Sequence, residues 1–593
     1  MSDQCEALVI GTGFGGAINA CRLARKWPGK VEVLERGKRY GLGEFPRAPG
    51  DFKKNFWVLP NRAPHPDHVC KAAAKEGRGE LHGMYDVRTY EHMDVVICAG
   101  VGGGSLIYAN VFLIPPDEIF ADTRWPASCK KPDLMDYYKV AKSVLGSRPI
   151  PPATDEPRRL IPKTELFQKI ARDGKRDSQL VDINVYFGRN PEAPPITIGE
   201  QERNRFGARQ TSCTYCGECI CGCNYHAKNT VDLNYLWVAE HCHQAKVHTE
   251  CLAEEIVPVN SSGNDDSSAD GSYGYRVKYR DLREAHVKTI VAKRVIVSAG
   301  CLGSTELLLR CKHRLRTLPR ISDRLGQGFS GNGDFLSFVV EGFEGKPNYG
   351  PTITQRTDFN LFNDFKKEQA FILEDASYPA FLGWFVEGVR PRSMWLKPVI
   401  NLIRRVVAKL TSGKSVGKIG FAFADLLSDS TSEQSAVLLC MGNDTSNGVM
   451  DLDANGQLRL RWPYEKNRRL YDAILQAGES FQRLAGAKLF IPLPTWDWPT
   501  RNNVTVHPLG GCVLADNENE GVTSAKEETF GQVFHYKGLY VADGAIVPTS
   551  TGSNPVATIC ALSERVAKGI TEEMPDGTLC DCRPEDHGLT VVS

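Results

Sequence analysis

The amino-acid sequence predicts an α/β fold, and two stretches carry this prediction. Residues 7–10 form an apolar run typical of a buried strand, residues 17–24 have the pattern of a helix, and residues 31–34 form a second apolar run. Residues 294–310 repeat the arrangement, because an apolar run is followed by small residues and then by a helical pattern. Strands that alternate with helices in this way are typical of the α/β class.

The turn after the first predicted strand has the G-x-G-x-x-G spacing of a dinucleotide-binding unit. In such a unit Gly11 allows a tight turn, Gly13 lets the backbone approach a pyrophosphate, and Gly16 lets the helix pack on the strand. The start of the helix offers N–H groups to the phosphates. Glu35 ends the second strand, where a carboxylate can accept hydrogen bonds from a ribose. This order predicts a dinucleotide site, and a purely structural glycine turn is the alternative.

The composition is that of an ordinary globular protein, large enough for two or more domains. The chain has 593 residues, with 72 Lys and Arg against 71 Asp and Glu, so its formal net charge is +1. This balance argues against nucleic-acid binding. No apolar run reaches the ~20 residues of a membrane-spanning helix and no signal peptide is recognised, so a cytoplasmic location is expected. Most of the 19 cysteines are then expected to be reduced.

A second glycine-rich stretch follows a predicted strand at residues 94–99. Residues 100–106 contain four glycines, which let the backbone lie close to a flat or charged group. A flexible loop is the alternative. The apolar strand that leads directly into the glycines favours a loop that contacts a bound cofactor.

Four cysteines have the C-x2-C-x2-C-x3-C spacing of bacterial iron–sulfur ligands, namely Cys213, Cys216, Cys219 and Cys223. Cys221 is an additional thiol within this loop, and Asn224 stands where the bacterial pattern has a proline. Three interpretations stay open: an iron–sulfur cluster, a structural zinc site, or reduced or disulfide-capable structural cysteines. An iron–sulfur cluster would favour a dehydrogenase that passes electrons to an acceptor over an oxidase that uses oxygen.

Residues 395–410 have the pattern of a basic amphipathic helix. Apolar side chains fall on one face, and Lys397, Arg404, Arg405 and Lys409 fall largely on the other. Such a helix can lie on an anionic membrane surface as a peripheral contact. It can equally pack on the core and leave its basic face in solvent.

Seven stretches together resemble the glucose–methanol–choline (GMC) family of flavin oxidoreductases, and most of all its cholesterol-oxidase branch. They are residues 11–16, 35–37, 100–106, 299–306, 326–335, 507–511 and 543–555. The resemblance implies FAD rather than NAD. It implies a doubly wound FAD-binding domain assembled from discontinuous segments, with a substrate domain on an antiparallel sheet. The FAD-binding domain is expected at residues 1–40, 85–115, 224–334 and 505–593. The substrate domain, cap and Cys-rich loop are expected at residues 41–84, 116–223 and 335–504.

The same resemblance implies three catalytic residues. His507 matches the family histidine that hydrogen-bonds the substrate hydroxyl and can take its proton, and Asn554 matches the partner asparagine near the flavin. Glu374 matches the glutamate base of cholesterol oxidases. A carboxylate in an apolar strand either points outward or has a perturbed pKa in a cavity, and its neighbour Asp375 is expected to be solvated.

The cofactor-binding residues implied by the resemblance are Gly11, Gly13, Phe14, Gly15, Gly16, Glu35, Arg36, Gly102, Gly103, Gly104, Ser105, Asn110, Gly300, Asp543, Gly544, Asn554 and Pro555. Either Asn110 or the backbone supplies the polar group that faces the flavin.

The expected activity is oxidation of a bulky apolar alcohol, a sterol or a long-chain alcohol, by hydride transfer from the carbinol carbon to the flavin. Oxygen or another electron acceptor completes the reaction. One alternative is a dehydrogenase or electron-relay component that passes electrons through an iron–sulfur cluster in the cysteine loop to a partner. An isomerase or lyase with the same fold is another.

Overall fold

The computed structural model describes residues 5–47, 53–57, 83–154, 156–380, 432–496, 502–577 and 579. The α-helices within these ranges are α1 (Phe14–Lys26), α2 (Asp117–Phe120), α3 (Lys131–Val144), α4 (Pro162–Asp173), α5 (Tyr235–His241), α6 (Gly300–Leu309), α7 (Tyr464–Ala485) and α8 (Val556–Thr571). The strands are β1 (Cys5–Ile10), β2 (Val31–Leu34), β3 (Tyr85–Tyr90), β4 (Met93–Cys98), β5 (Val111–Phe112), β6 (Ser178–Leu180), β7 (Asp182–Ile183), β8 (Gln201–Arg203), β9 (Arg209–Thr211), β10 (Lys246–His248), β11 (Cys251–Pro258), β12 (Tyr275–Asp281), β13 (His286–Val297), β14 (Gln327–Phe329), β15 (Phe335–Val340), β16 (Gln355–Phe359), β17 (Phe371–Ala376), β18 (Ser435–Gly442), β19 (Gly448–Leu452), β20 (Leu458–Arg461), β21 (Leu489–Pro492), β22 (Asn503–Thr505), β23 (Leu514–Ala515), β24 (Thr523–Ser524) and β25 (Leu539–Val541).

The largest sheet has the strand order β10-β2-β1-β13-β12-β11, and β25 also pairs with β13. The strands β10, β2, β1, β13 and β25 are parallel, whereas β11 and β12 form an antiparallel pair. The unit β1-α1-β2 is the predicted strand–helix–strand pattern, and β13 followed by α6 repeats the strand-to-helix step. The predicted α/β class is therefore confirmed.

The last part of the chain completes this sheet. Strand β25 lies beside β13, and α8 packs against α1. Arg22 of α1 and Glu564 of α8 form a buried ion pair, with Nε and Oε2 2.9 Å apart. The parallel core is thus built from three segments of the chain that are far apart in sequence.

The second large sheet is antiparallel and has the order β21-β15-β18-β17-β16-β6. Successive side chains in a strand point to opposite faces. One face packs against α4 and α7 and forms an apolar core that includes Phe335, Val339, Leu373, Leu438 and Cys440. The opposite face presents Leu336, Phe338, Val437 and Leu439 to a cavity.

A small three-stranded sheet brings two predicted loops together. Strand β22 pairs in parallel with β4. Strand β4 leads into the glycine-rich residues 100–106, and β22 leads into His507. Because the strands are parallel, both loops leave from the same edge of the sheet.

The predicted amphipathic helix at residues 395–410 lies outside the described residues, so membrane contact through it stays a prediction. None of the helices in the described ranges combines the length and apolar character needed to cross a bilayer. The predicted domain boundaries also stay a prediction.

Candidate active site

A cavity of about 1940 Å³ runs from the first glycine turn to the antiparallel sheet. Its lining includes most of the predicted cofactor residues, namely Gly11, Gly13, Phe14, Gly15, Glu35, Arg36, Gly103, Gly104, Gly300, Asp543, Gly544 and Pro555. The predicted cofactor residues that do not line it are Gly16, Gly102, Ser105, Asn110 and Asn554. Of the predicted catalytic residues, His507 lines the cavity, whereas Glu374 and Asn554 are buried and do not line it.

The first glycine turn forms one end of the cavity. Gly11 has a φ of +103°, and a Cβ there would lie 2.2 Å from the carbonyl oxygen of Ser298. A Cβ at Gly15 would lie 1.5 Å from the carbonyl oxygen of Ala542. By contrast, a Cβ at Gly104, which lines the same cavity, would meet nothing within 4 Å. The first glycine turn is therefore packed tightly against the sheet, whereas the second glycine-rich stretch is open at Gly104, where a bound group can approach the backbone.

Glu35 is buried, and its carboxylate is already occupied by donors from the protein. Thr12 donates to Oε2 through its backbone N at 3.1 Å and its hydroxyl at 2.5 Å. The backbone N–H groups of Gly37 and Gly100 donate to Oε1 at 2.8 Å and 3.3 Å. Burial raises the pKa of the Glu35 carboxyl, and the Thr12 hydrogen bond opposes this rise. A carboxylate has about four acceptor positions, so a ribose hydroxyl must displace one of these donors. The ribose contact stays a prediction.

Asp543 connects the end of β25 to the start of α6. Its Oδ2 accepts hydrogen bonds from the Gly300 N–H at 2.9 Å and from the Ser304 hydroxyl, and its Oδ1 accepts from the Ala545 N–H at 2.8 Å. Burial raises the pKa of Asp543 to about 6. These bonds fix Gly300 and Gly544 at the cavity surface.

Ser105 and Asn110 differ from the expectation that both face a cofactor. The Ser105 hydroxyl donates to the Gly102 carbonyl at 2.7 Å and accepts from the Val231 N–H at 3.1 Å, so it stabilises the loop itself. Asn110 is completely buried, and its side-chain oxygen and nitrogen have no hydrogen-bond partner among the described residues. An unsatisfied buried amide costs about 1–3 kcal/mol, a cost that is removed if a bound group reaches it.

His507 lies on the cavity wall, and Asp334 holds its imidazole from behind. The Nδ1 atom is 2.8 Å and 3.0 Å from the two oxygens of Asp334. The Asp334 side chain is 1% exposed, against 15% for His507. The Val506 N–H at 2.9 Å and the Thr505 hydroxyl at 3.0 Å also donate to Asp334 and fix it in place. Because Asp334 accepts from Nδ1–H, Nε2 of the neutral ring is the nitrogen that can accept a proton.

Asp334 is a candidate functional residue that sequence reasoning missed. It lies in the stretch 326–335, which contributed to the family resemblance but gave Asp334 no role. The contact with His507 joins residues 173 positions apart in the sequence. No local pattern marks such a pair, so only the fold could reveal it.

Glu374 and Asn554 contact each other, as expected of two residues in one site. Asn554 Nδ2 donates to Glu374 Oε2 at 3.3 Å. Glu374 is completely buried, and this burial raises the pKa of its carboxyl well above the usual range. Glu374 Oε1 and Asn554 Oδ1 have no hydrogen-bond partner among the described residues. The pair therefore keeps unused hydrogen-bonding capacity close to the cavity.

The expectation that Asp375 is solvated is wrong. It is completely buried on the core face of the antiparallel sheet, with its carboxylate 3.0 Å from the ammonium of Lys163. The hydroxyl of Thr164, the N–H and hydroxyl of Thr354 and the N–H of Gln355 also donate to it, at 2.6–2.9 Å. Successive residues in a strand point to opposite faces, so Asp375 enters the core while Glu374 points toward the cavity side.

The cysteine loop encloses a second and much smaller cavity, of about 20 Å³. The four predicted ligands Cys213, Cys216, Cys219 and Cys223 all line it, whereas Cys221 does not. All five thiols are free. Within the described ranges, no three His, Cys, Asp or Glu side chains are placed to share one metal ion, so this test does not support the predicted metal site.

Comparison with known proteins identifies the family. Residues 199–314 and 444–563 each match a family model described as GMC oxidoreductase. The chain belongs to the GMC oxidoreductase family, as its motifs predict, and is an oxidoreductase.

Two relatives and one solved structure extend over nearly the whole chain. A cholesterol oxidase of Acinetobacter baumannii is 28% identical over 584 residues, which cover 95% of this chain and 94% of the relative. A long-chain-alcohol oxidase of Arabidopsis thaliana is 23% identical over 588 residues, covering 97% of this chain and 68% of the relative. The crystal structure of pyridoxine 4-oxidase from Mesorbium loti covers 96% of this chain and 100% of its own, with a TM-score of 0.57 and 13% identity, and so supports the fold alone.

Proposed function

We propose that this protein oxidises a bulky apolar alcohol, a sterol or a long-chain alcohol, with FAD as its cofactor. The observation that carries the proposal is the position of His507. It lies on a cavity that has glycine-rich, nucleotide-type turns at one end and an apolar sheet face at the other. The relatives named cholesterol oxidase and long-chain-alcohol oxidase act on alcohols of this kind.

The residues present fit a flavin dinucleotide. The Gly11–Gly16 turn and residues around Glu35 would hold the ADP half, and Gly104, Gly300 and Pro555 would border the rest. The open space in front of Gly104 and the unsatisfied amide of Asn110 are consistent with a bound group. When bound, FAD supplies an acceptor for the hydride of the carbinol carbon. The discontinuous, doubly wound FAD-binding domain with its antiparallel substrate domain is part of this proposal.

The substrate end of the cavity favours an apolar molecule. One wall is the face of the antiparallel sheet that carries Leu336, Phe338, Ala376, Val437 and Leu439, with Tyr378 at its edge. Burying an alkyl or ring carbon against such a wall contributes about 0.8 kcal/mol per CH₂ group. A short polar alcohol gains little here, so chain length or ring size decides affinity.

The proton of the alcohol is expected to pass to His507. Asp334 keeps the proton of the neutral ring on Nδ1, so Nε2 can accept the hydroxyl proton as the carbinol is oxidised. The carboxylate then stabilises the imidazolium, because an opposite charge 2.8 Å away favours the protonated ring. Asn554 and Glu374, which contact each other, would add further polar groups on the same side of the sheet as the cavity.

A substrate panel tests the proposal. Protein saturated with FAD is mixed anaerobically with cholesterol, a long-chain primary alcohol or ethanol, and flavin absorbance is followed; oxygen and an artificial acceptor are then compared as oxidants. We expect absorbance to bleach with the bulky alcohols and not with ethanol. Protein that binds no FAD, or that oxidises ethanol as well as the bulky alcohols, would contradict the proposal.

A second function is electron relay to a partner through the cysteine loop. The loop touches the glycine-rich stretch, because the Lys228 ammonium donates to the carbonyl oxygens of both Leu106 and Cys219. In this function the cysteine loop would hold an iron–sulfur cluster, which would supply one-electron transfer to an acceptor protein. Faster turnover with a one-electron acceptor than with oxygen supports it, and turnover with oxygen alone counts against it. The cytoplasmic location stays a prediction.

A further inference from the structure

Two hydroxyl groups on the wall of the large cavity are buried and lack a hydrogen-bond partner. They belong to Thr352 and Ser377, which both line this cavity. Thr352 is 2% exposed and Ser377 is 4% exposed, and neither hydroxyl has a partner among the described residues. A buried hydroxyl without a partner carries a desolvation penalty, which a bound group that pairs with it removes. These two groups, the far hydroxyls, are therefore placed to contact a ligand.

The far hydroxyls lie together at one end of the antiparallel sheet. Strands β16 and β17 are antiparallel, so the start of β16 and the end of β17 lie at the same end of the sheet. Thr352 lies three residues before β16, and Ser377 directly follows β17. From the core side, the Lys163 ammonium donates to the carbonyl oxygens of Thr352 at 3.1 Å and of Asp375 at 2.6 Å. The two backbone segments that carry the far hydroxyls are therefore held side by side.

Polar side chains close in sequence to the far hydroxyls are paired within the protein. The Tyr378 hydroxyl donates to the Ser432 carbonyl at 2.6 Å and lies 3.2 Å from the Ser435 hydroxyl. The Thr354 hydroxyl donates to the Asp375 carboxylate at 2.6 Å. The far hydroxyls differ from these neighbours because they line the cavity and have no partner among the described residues.

The strand register places the far hydroxyls well away from His507. Phe335 of β15 and Leu373 of β17 are both opposite Cys440 of β18, so they lie level with each other. Asp334, which holds His507, precedes β15 and is therefore level with residue 372. One far hydroxyl is at residue 377, which is five residues farther along the sheet. A strand rises about 3.3 Å per residue, so the separation along the strands is roughly 17 Å.

The wall between these two positions is apolar. Phe338, Val437 and Ala376 lie level with each other on the face that lines the cavity, between Asp334 and the far hydroxyls. A molecule that lies along this wall must have an apolar body to bind well. A steroid ring system or a long alkyl chain has a length of this order. A polar group at its second end would then meet the far hydroxyls.

We propose that Thr352 and Ser377 hydrogen-bond a second oxygen of the substrate, at the end opposite the carbinol. The substrate class is then an alcohol with an apolar body and an uncharged hydroxyl or ketone at its far end, such as an oxygenated steroid or a long-chain diol. A hydroxyl can donate and accept, so the pair fits either group. A carboxylate fits less well, because Lys163, the cation bonded to these segments, already pairs with Asp375. This inference rests on the proposed oxidation of a bulky alcohol.

Matched pairs of alcohols test this inference with the FAD-loaded full chain. Dehydroepiandrosterone, whose ketone lies at the opposite end of the rings from its hydroxyl, is compared with the same steroid lacking the ketone. Long-chain α,ω-diols are compared with primary alcohols of equal length, and kcat and KM are measured for each. We expect the far oxygen to raise kcat/KM about 2–10-fold, mainly through KM, because one neutral hydrogen bond contributes a factor of this size.

Variants identify the groups that bind the far oxygen. Thr352→Val and Ser377→Ala each remove one hydroxyl, and the double variant should abolish the preference while leaving kcat/KM for the ketone-free steroid nearly unchanged. Thr317→Val is the matched control, because Thr317 is a buried threonine outside the cavity lining. Thermal unfolding checks that the variants keep their fold, which we expect because the hydroxyls they remove have no partner among the described residues.

Failure of this inference is distinguishable from failure of the proposed function. A flavin that none of these alcohols bleaches would overturn the proposed function and this inference with it. Bleaching by the ketone-free steroid without any preference for a far oxygen would overturn this inference alone. A preference that the double variant retains would also overturn it.

Discussion

The two faces of the antiparallel sheet treat neighbouring carboxylates in opposite ways. On the core face, Asp375 accepts five hydrogen bonds, one of them from its ion-pair partner Lys163, so none of its acceptor capacity is left over. On the cavity side, Glu374 accepts one hydrogen bond from Asn554 and keeps an oxygen without a partner among the described residues. The difference teaches that a buried carboxyl group whose oxygens are fully hydrogen-bonded supports the fold, whereas one that keeps an unused oxygen marks where a ligand or substrate is expected.

Removing the imidazole of His507 from the cavity wall should have the largest effect on catalytic activity. His507→Ala removes the proposed proton acceptor, and general-base catalysis contributes about 10²–10⁴-fold, so kcat should fall by that factor while FAD stays bound. Anaerobic stopped-flow bleaching by a bulky alcohol measures this. His535→Ala is the control, because His535 is an exposed histidine outside the cavity lining. Unchanged turnover in His507→Ala would place the proton acceptor elsewhere.

Asp334→Asn tests whether the carboxylate acts through His507. The amide keeps the shape but removes the charge that stabilises the protonated ring, so we expect kcat to fall about 10–10³-fold with little change in KM. Thermal unfolding of the same protein shows whether the fold is intact. Asp334→Glu should recover part of kcat. A rise in KM alone would mean that Asp334 only shapes the binding site.

Breaking the core-face pair should cost stability and not chemistry. Lys163→Met leaves Asp375 buried without its cation, which typically costs about 3–5 kcal/mol in free energy of unfolding. Urea unfolding measures the change, and turnover per folded molecule should stay the same. The double variant Lys163→Met/Asp375→Asn should recover part of the loss. If Lys163→Met lowered turnover without lowering stability, the claim that the core face serves stability and the cavity face serves catalysis would be wrong.

Leu438 and Leu439 compare the two faces with one substitution. Leu438 is completely buried on the core face, so Leu438→Ala should lower the free energy of unfolding by about 2–5 kcal/mol. Leu439 faces the cavity, so Leu439→Ala should cost less than this and should change KM for bulky alcohols. Paired urea unfolding and kinetics check both. Equal losses of stability in Leu438→Ala and Leu439→Ala would contradict the assignment of Leu438 to the core face and Leu439 to the cavity face.

The smallest effect is expected in the pH dependence of stability at Glu374. Its folded-state pKa is raised by burial, so the folded state binds more protons than the unfolded state above the ordinary pKa of a glutamate. Stability must therefore fall as pH rises from about 4.5 toward the raised pKa. Glu374→Gln removes this dependence. In unfolding measured from pH 5 to 8, the free energy of unfolding of the variant should therefore rise relative to that of the wild type as pH increases. A constant difference across this range would contradict the raised pKa.

The sequence predicted the strand–turn–helix at one end of the cavity well, because its signal is local. Gly11, Gly13 and Gly16 lie within one turn, and the strand–helix–strand order around them is visible in the hydrophobic pattern. His507 followed from the family resemblance. The side that Ser105 faces was not predictable, because it depends on Val231, which a distant segment brings beside it.

The opposite end of the cavity depends on contacts that no sequence pattern encodes. The pairs His507–Asp334 and Lys163–Asp375 join residues 173 and 212 positions apart. A polar residue in an apolar strand gives no indication of whether its face is covered by a helix or by a cavity. That is why Asp375 was expected in solvent and is found in the core.

The position of β25 and α8 in the parallel sheet has a consequence for biosynthesis. Residues 295–297 of β13 have no strand partner on one side until residues 539–541 pair with them, and α1 lacks the helix that carries Glu564. A ribosome must therefore translate more than nine-tenths of the chain before this sheet can close. Until then the emerging polypeptide exposes an apolar strand edge, which makes it a client for chaperones. A truncated product that ends before residue 539 should accumulate as aggregate rather than as a smaller folded domain.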